Sequence, residues 1–359
     1  MAKRELFGIQ YLRAVAALFV VLSHITAQCS FPKYFNKEVL GNFFLAGTVG
    51  VELFFVISGF IITYVSLANH SLEPTLSPTS FLGKRFYRIV PFMWICIIGY
   101  ALLKSMGRGS FPLAPYLRAL VLFPTGELQP NVIWTLKHEF LFYTLFCFFG
   151  IYLRKWSYLF IWFLSPLVWF TFIAKDSSFL NQLGEFVFNK VNIIFGIGFL
   201  IGITYQKGYL QRSVSTRFSF IWLVIVSMPL LLFAYVAGRD RIDFSLYFAI
   251  VSGLISSLLV IFGLALAPKK SISYLDRVGL LLGDASYSIY LTHSAVISAM
   301  LGIWSKYQPT ANLIVVLTTV FIICTLVGVI VHKWVEKPVI LFARHLASFT
   351  LKKPIKITQ

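Results

Sequence analysis

Long apolar runs separated by short polar segments extend along nearly the whole chain. A helix needs about 20 mostly apolar residues to cross the hydrocarbon core of a bilayer. The pattern therefore predicts an all-α fold, a polytopic bundle of about ten transmembrane helices. The predicted helices cover residues 7–27, 43–67, 88–104, 132–151, 157–174, 189–206, 219–237, 243–266, 279–303 and 311–331. The short, proline-rich stretch 111–124 is predicted to be an interfacial or re-entrant segment.

The composition agrees with this pattern. Hydrophobic types make up 58% of the 359 residues and charged types only 12%, about half of the ~25% usual in soluble domains. So few charges cannot cover the surface of a soluble protein of this length. The four cysteines lack CxxC spacing, and the chain contains no Walker A, GxSxG or HExxH motif. These observations exclude a soluble enzyme and a disulfide scaffold, and they predict no metal site.

The net charge of +18 comes from 31 basic and 13 acidic side chains. With the N-terminus inside, 19 of the basic residues fall in cytoplasmic segments and ten in external ones. The positive-inside rule then predicts that both termini are cytoplasmic. The charge thus reflects topology, and we expect no nucleic acid partner. We divide the chain into a membrane domain, residues 1–335, and a basic cytoplasmic tail, residues 336–359, lying along the anionic leaflet.

Two ionisable residues lie within the first predicted helix. Arg13 and His24 are 11 positions apart, so they share a helix face and are separated by ~16 Å along the axis. Buried ionisable groups in membranes indicate function by default. The alternative is a snorkelling arginine at one interface and a polar histidine at the other. Glu52, in the second helix, lies at a depth similar to His24; its alternative role is a hydrogen bond to a neighbouring helix.

Two arginines open the third predicted helix, at its cytoplasmic end. Arg85 and Arg88 are three residues apart and share a face. Paired guanidinium groups can bind phosphate oxygens in bidentate fashion. Ordinary positive-inside anchoring is the alternative.

The fourth helix carries three consecutive ionisable residues, Lys137, His138 and Glu139. Such a run is hard to explain by packing alone. Thr135 and Tyr143 lie four positions before and after Glu139, so the three share a face. This helix is therefore a candidate for catalysis.

The ninth helix carries a polar stripe of Ser286, Tyr290 and His293. These residues share a face that we expect to point into the bundle. Hydrogen bonding between helices would also explain them. Asp284, near the inner end of this helix, is expected to pair with an arginine of the inner face.

A histidine beside a carboxylate can act as a general base towards a hydroxyl group. We expect His24, Glu52 and Glu139 to approach one another in the outer half of the bundle. The arginines, near the cytoplasmic end, could bind an anionic ligand. A base near the outside and an anion site near the inside favour group transfer across the membrane.

Five segments, in order, carry the pattern of a known family. They read IQYLRAVAALFVVLSH, GVELFFVISGFIIT, KRFYRIVPFMW, WTLKHEFLFY and LGDASYSIYLTHS. Through them the chain resembles the membrane acyltransferase-3 family, and within it the bacterial exopolysaccharide and O-antigen acetyltransferases. The resemblance implies a multi-pass protein of the bacterial inner (plasma) membrane. It also implies transfer of an acetyl group from cytoplasmic acetyl-CoA to a sugar hydroxyl outside.

The family's motifs fall on named positions here. Its Arg-x10-His pattern falls on Arg13 and His24, its paired arginines on Arg85 and Arg88, and its Trp-Ser-Leu-x-x-Glu pattern on Trp134, Leu136 and Glu139. This sequence departs from the family at Thr135 (usually Ser), Glu52 (often Asp) and Thr292 (often Trp).

The resulting hypothesis has His24, supported by Glu139, as the catalytic base. The three arginines would hold the phosphates of acetyl-CoA, a co-substrate, with no permanently bound cofactor. The predicted supporting residues are Glu52, Trp134, His138, Tyr143, Ser286, Tyr290 and His293. The expected partners are the lipid bilayer, acyl-CoA, a carbohydrate acceptor and, as a candidate, polysaccharide-export machinery.

Two other functions use the same buried charges. One is a transporter or flippase of a lipid-linked sugar, against which the lack of a visible inverted repeat weighs. The other is a structural partner in a polysaccharide-export complex. Neither predicts CoA-dependent modification of the glycan.

Overall fold

A computed structural model describes residues 6–106, 111–173, 178–210, 214–216, 219–239, 246–268 and 273–350. Over these residues the protein is a bundle of α-helices with one pair of short parallel strands. The strands are β1 (Val214–Thr216) and β2 (Leu266–Pro268), with Val214 opposite Leu266. The helices are α1 (Phe7–Cys29), α2 (Gly50–Ser66), α3 (Pro78–Ser105), α4 (Leu113–Leu120), α5 (Ile133–Leu145), α6 (Trp156–Phe172), α7 (Phe179–Val187), α8 (Val191–Gln206), α9 (Ser219–Arg239), α10 (Leu246–Ala265), α11 (Tyr274–Asp284), α12 (Ser286–Tyr307), α13 (Leu313–Val331) and α14 (Lys337–Thr350).

The all-α, polytopic fold predicted from the sequence is confirmed. By length and composition, 7 helical stretches of the described chain can cross a membrane. An eighth apolar helix, Trp156–Phe172, is shorter. The 7 stretches are Phe7–Cys29, Leu40–Ser66, Pro78–Ser105, Phe179–Gln206, Ser219–Gly238, Leu246–Ala265 and Leu313–Leu346.

The two remaining predicted spans, 132–151 and 279–303, are also helical but interrupted. Helix α5 continues as a π-helical segment, Phe146–Tyr152. The other span divides at Ala285 into α11 and α12. Both spans carry the polar residues singled out in the sequence.

The predicted start of the third helix was wrong. The third helix begins at Pro78, ten residues before the predicted start. The Ser77 side chain caps it by accepting a hydrogen bond from the Ser80 N–H at 3.3 Å, and proline suits the first helical turn. Arg85 and Arg88 therefore lie within the helix and not at its opening. The stretch 111–124 contains the short helix α4, which packs on α3.

Helix α1 lies at the centre of the bundle, against α2, α10, α11 and α12. Most of its residues are buried, including small ones that allow close packing. Helices α2 and α8 pack most extensively, through glycines that face the partner backbone. A Cβ atom added at Gly198 would lie 2.1 Å from the Val56 carbonyl oxygen, and one at Gly59 would lie 2.3 Å from that of Phe195. Gly198 is thus a packing residue, as small residues commonly are between membrane helices.

A π-helical turn, His332–Glu336, joins α13 to α14. Both terminal residues of the turn are buried, and Glu336 Oε2 lies 2.7 Å from His332 Nδ1. The same oxygen accepts a hydrogen bond from the Ser288 hydroxyl of α12 at 2.6 Å. The turn thereby fastens the last helices to α12. The predicted boundary between membrane domain and tail falls inside it, and residues 351–359 of the predicted tail lie outside the described residues.

Candidate active site

Two cavities in the described part of the chain are lined by residues that the sequence singles out. The first, which we name the arginine cavity, is lined by side chains from α1, α2, α3, α5 and α12. The polar lining residues are Arg13, Ser58, Arg85, Arg88, Thr135, Glu139, Tyr143, Ser286, Tyr287 and Tyr290.

Arg13 is held in the arginine cavity by a chain of hydrogen bonds. Its Nη1 donates to the Gln10 Oε1 atom, one helical turn earlier, at 2.9 Å. The Gln10 amide then donates to the Asp284 carboxylate at 3.2 Å. The expected pairing of Asp284 with an inner-face arginine is therefore indirect, through Gln10. Since Gln10 and Arg13 are three residues apart on one helix, their shared face was visible in the sequence.

Arg85 and Arg88 come from the same face of α3. The Arg85 guanidinium lies over the rings of Phe81 and Tyr143, at 5.6 and 5.9 Å from their centroids. Its Nε atom is buried without a hydrogen-bond partner. Within the described part of the chain, the ion pairs within 4.0 Å involve neither of these arginines nor Arg13. The cavity thus presents three guanidinium groups that no carboxylate neutralises at contact distance.

Glu139 is the acidic residue of this cavity. It accepts a hydrogen bond from the Ser58 hydroxyl of α2 at 3.0 Å and a second from the Tyr143 hydroxyl. Its negative charge attracts Arg13 and Arg85 electrostatically. Glu139 therefore ties α2 to α5 and offsets part of the positive charge.

The second cavity, which we name the histidine cavity, is lined by α1, α2, α5, α8, α10 and α12, together with the segments before α2, α5 and α8. It contains an aromatic ring, amides, a carboxylate and a lysine. The polar and aromatic lining residues are His24, Thr48, Glu52, Asn131, Trp134, Asn189, Lys190, Phe248 and Tyr290.

The His24 ring is oriented by its own helix. Nδ1 lies 2.9 Å from the carbonyl oxygen of Val20. Because a carbonyl oxygen only accepts, this contact assigns the ring proton to Nδ1 and leaves a lone pair on Nε2. The His293 ring of α12 packs against His24 edge-on, with centroids 4.8 Å apart, and its Nδ1 lies 2.7 Å from the Tyr290 carbonyl oxygen.

Glu52 shares the histidine cavity with His24, as expected. Its side chain is buried and its Oε2 atom has no hydrogen-bond partner. Lys190, at the start of α8, attracts it electrostatically. The cavity therefore contains a carboxylate oxygen free to accept a hydrogen bond.

His24 and Glu139, which were expected to approach one another, line different cavities, and no hydrogen bond or ion pair given for the described residues joins them. Glu139 is five residues beyond Trp134 on α5, about 7.5 Å deeper along the axis, and lines the other cavity. His138 lines neither cavity; its ring packs between Trp134 and Phe186, at centroid distances of 5.9 and 5.1 Å. Of the three consecutive ionisable residues in α5, Glu139 lines the arginine cavity, whereas Lys137 and His138 line neither of the two cavities.

The polar stripe of α12 follows the boundary between the cavities. Ser286 lines the arginine cavity, Tyr290 lines both, and His293 lies behind His24. Tyr287 was not among the predicted site residues. Its hydroxyl donates a hydrogen bond to the Ile89 carbonyl at 3.0 Å, beside Arg88. Tyr287 did not stand out in the sequence because it is one of many aromatic residues in this chain.

Comparison with known families agrees with this arrangement. A family model described as an acyltransferase domain matches residues 6–333, which include all residues lining the two cavities. The chain belongs to the acyltransferase-3 family. The resemblance stated from its motifs is confirmed, and the protein is a multi-pass membrane protein of this family.

A relative is the exopolysaccharide production protein ExoZ of Rhizobium meliloti (strain 1021). It is 28% identical over 317 residues, which cover 84% of this chain and 92% of the relative. No solved structure matches this chain significantly.

Proposed function

We propose that this protein transfers an acetyl group from cytoplasmic acetyl-CoA to a hydroxyl group of a surface or exported polysaccharide, or of its lipid-linked precursor. One observation carries the proposal. A cavity lined by three arginines and a cavity lined by an oriented histidine adjoin at Tyr290 and Val51. With the predicted orientation, the arginine cavity would face the cytoplasm of a bacterial inner membrane, because Arg13, Arg85 and Arg88 lie towards the cytoplasmic ends of their helices.

The arginine cavity suits the donor. Acetyl-CoA carries several phosphate charges, and hydrogen bonds to charged groups contribute ~1.5–3 kcal/mol each. Arg13, Arg85 and Arg88 would hold those charges. The apolar lining residues Phe54, Ile57 and Ile61 suit the uncharged arm that leads to the thioester. The thioester would then lie towards Tyr290.

The histidine cavity suits a carbohydrate acceptor. Sugar rings present C–H faces that pack on aromatic rings and hydroxyl groups that need hydrogen-bond partners. Trp134 supplies the ring, and Asn131, Asn189 and Glu52 supply polar atoms. The name of the relative ExoZ, an exopolysaccharide production protein, supports a polysaccharide-related acceptor.

In the direct mechanism, His24 Nε2 takes the proton of the acceptor hydroxyl. The hydroxyl oxygen bonds to the acyl carbon, the carbon–sulfur bond breaks, and the proton passes to the departing CoA thiolate. In the relay variant, Nε2 itself bonds to the acyl carbon first, and the carbon–sulfur bond breaks so that CoA leaves as the thiolate. The acceptor oxygen then bonds to the same carbon, the carbon–nitrogen bond breaks, and the hydroxyl proton passes through the freed Nε2 to the CoA thiolate. In both mechanisms His293 would support the position of the His24 ring. Glu139 would contribute from the arginine cavity, where it offsets part of the positive charge.

Mass spectrometry of the surface polysaccharide, with and without the gene, tests the function. We expect the modified residue to lose one acetyl mass increment when the gene is deleted. A flippase or structural partner would leave the acetyl content of each repeat unit unchanged, and that result would contradict the proposal.

Radiolabelled acetyl-CoA and purified full-length protein test the mechanism. We expect His24→Ala to abolish transfer, whereas His345→Ala, at an exposed histidine of α14, should retain it. Label retained on the wild-type protein but absent from His24→Ala would support the relay. Full activity in His24→Ala would contradict both mechanisms.

A further inference from the structure

Among the residues that the structure describes, the two cavities share two lining residues, Val51 of α2 and Tyr290 of α12. These side chains therefore form the partition between the arginine side and the histidine side. Both positions lie in helices, so the partition belongs to the framework of the bundle and not to a loop.

Tyr290 is fixed at several points. Its hydroxyl oxygen lies 3.0 Å from Thr135 Oγ1 and 3.3 Å from the Val132 carbonyl oxygen, both on or beside the start of α5. Its ring lies edge-on to Phe54 at a centroid distance of 5.9 Å. Only 7% of the residue is exposed. Because its hydroxyl is hydrogen-bonded and its ring is packed, the Tyr290 side chain has little freedom to move and forms a rigid wall between the two cavities.

The same residue is linked to the proposed base. The Tyr290 carbonyl oxygen lies 2.7 Å from His293 Nδ1, and the His293 ring contacts the ring of His24. A displacement of Tyr290 would therefore also displace the histidine pair. An acyl group large enough to displace Tyr290 would therefore also move the histidine that has to activate the acceptor hydroxyl.

We propose that Val51 and Tyr290 set the size of the acyl group that this protein transfers, admitting acetyl and rejecting straight chains of four or more carbons. The inference rests on the proposed function, because it requires a donor on the arginine side and a base on the histidine side. The acyl carbon must then meet the acceptor oxygen at this partition. The hydroxyl oxygen bonds to that carbon, the carbon–sulfur bond breaks, and the hydroxyl proton leaves through His24 to the CoA thiolate.

The expected loss of transfer depends on how many methylene groups the acyl chain has beyond acetyl. One extra methylene in a close-fitting apolar pocket changes the specificity constant by ~10–200-fold. Two extra methylenes, as in butyryl, should therefore reduce transfer by at least ~10-fold relative to acetyl. Shortening Val51 removes two methyl groups from the partition and should recover much of that loss.

The test compares acetyl-CoA and butyryl-CoA with purified full-length protein, using polysaccharide isolated from cells that lack the gene as acceptor. We expect Val51→Ala to raise the butyryl-to-acetyl ratio of kcat/KM by ~10-fold or more. Val51→Leu should lower acetyl transfer, because it narrows the partition. Val65→Ala is the matched control, since Val65 lies in the same helix as Val51, is partly buried like it and lines neither cavity. Its ratio should equal that of the wild type.

A second variant addresses the tyrosine. Tyr290→Phe keeps the ring and removes the hydroxyl contacts with α5, so the wall loosens, and the ratio should rise in the same direction. Equal use of butyryl and acetyl by the wild type, or unchanged ratios in Val51→Ala and Tyr290→Phe with acetyl transfer intact, would overturn the size-selection proposal alone. Absence of transfer from either donor by the wild-type protein would overturn the proposed function and this inference with it.

Discussion

The contact between α2 and α8 makes a quantitative prediction about a single glycine. A Cβ atom at position 198 would lie 2.1 Å from the Val56 carbonyl oxygen and 3.0 Å from the Phe60 backbone nitrogen. Ordinary contact needs a separation larger by about 1 Å. Since the neighbour is backbone in a membrane helix, no side chain can rotate away, and the two helices must separate.

We therefore expect Gly198→Ala to lower the free energy of unfolding by ~1–3 kcal/mol, the usual cost of overpacking. Activity should also fall, because α2 carries Glu52, Val51 and Ser58, which line the cavities. A displacement of about 1 Å at a reacting centre can reduce a rate by ~100-fold. Thermal unfolding of the purified protein in detergent, followed by an acetyl-transfer assay, measures both effects.

Gly302→Ala is the matched control. A Cβ atom at this position of α12 meets no atom within 4 Å, and alanine favours a helix over glycine by up to ~1 kcal/mol. Its unfolding midpoint should therefore equal or exceed that of the wild type. Equal midpoints and activities for Gly198→Ala and Gly302→Ala would refute the argument that close backbone approach holds α2 in place.

Two further predictions concern charged residues. Arg88→Gln should raise KM for acetyl-CoA by ~10–100-fold with a smaller change in kcat, since one charge-assisted contact to phosphate is lost. The control Arg154→Gln, at an exposed surface ion pair, should leave KM unchanged. Equal KM values for the two variants would contradict a phosphate-binding role of Arg88. Glu336→Ala should lower the free energy of unfolding by ~1–3 kcal/mol, because it leaves the buried Ser288 and His332 groups without their acceptor. The control Glu127→Ala, at an exposed position, should leave the thermal unfolding midpoint unchanged. Equal midpoints for Glu336→Ala and Glu127→Ala would show that the buried contacts of Glu336 contribute nothing to stability.

Much of the fold was predictable because lipid imposes a simple length rule on apolar runs. The early start of α3 was also present in the sequence, as Ser77 followed by Pro78, but the charged stretch around Arg85 looked like a loop boundary. Periodicity also placed Arg13 and His24 on one face correctly. These features depend on one helix at a time, which is what a single sequence encodes most directly.

The partners of Glu139 could not be predicted in the same way. Its hydrogen bonds go to Ser58 of another helix and to Tyr143, and its depth relative to His24 depends on how α5 is shifted along its axis beside α1. Helical periodicity gives the face of a residue but not its axial position relative to a neighbouring helix. The separation of His24 from Glu139 into two cavities is therefore information that only the packed structure supplies.

The partition at Val51 and Tyr290 has a consequence for the cell's energy supply. A bundle that opened from both sides at once, through a polar centre rich in arginine and histidine, would conduct water and protons and dissipate the membrane potential. Moving one charge through 100 mV is worth about 2.3 kcal/mol. Each proton that leaked through such an opening would dissipate that energy, even when no acyl group was being transferred. Under the proposed function, in which the two cavities face opposite sides of the membrane, the partition would let the protein keep reactive groups accessible from two aqueous compartments while remaining an electrical insulator.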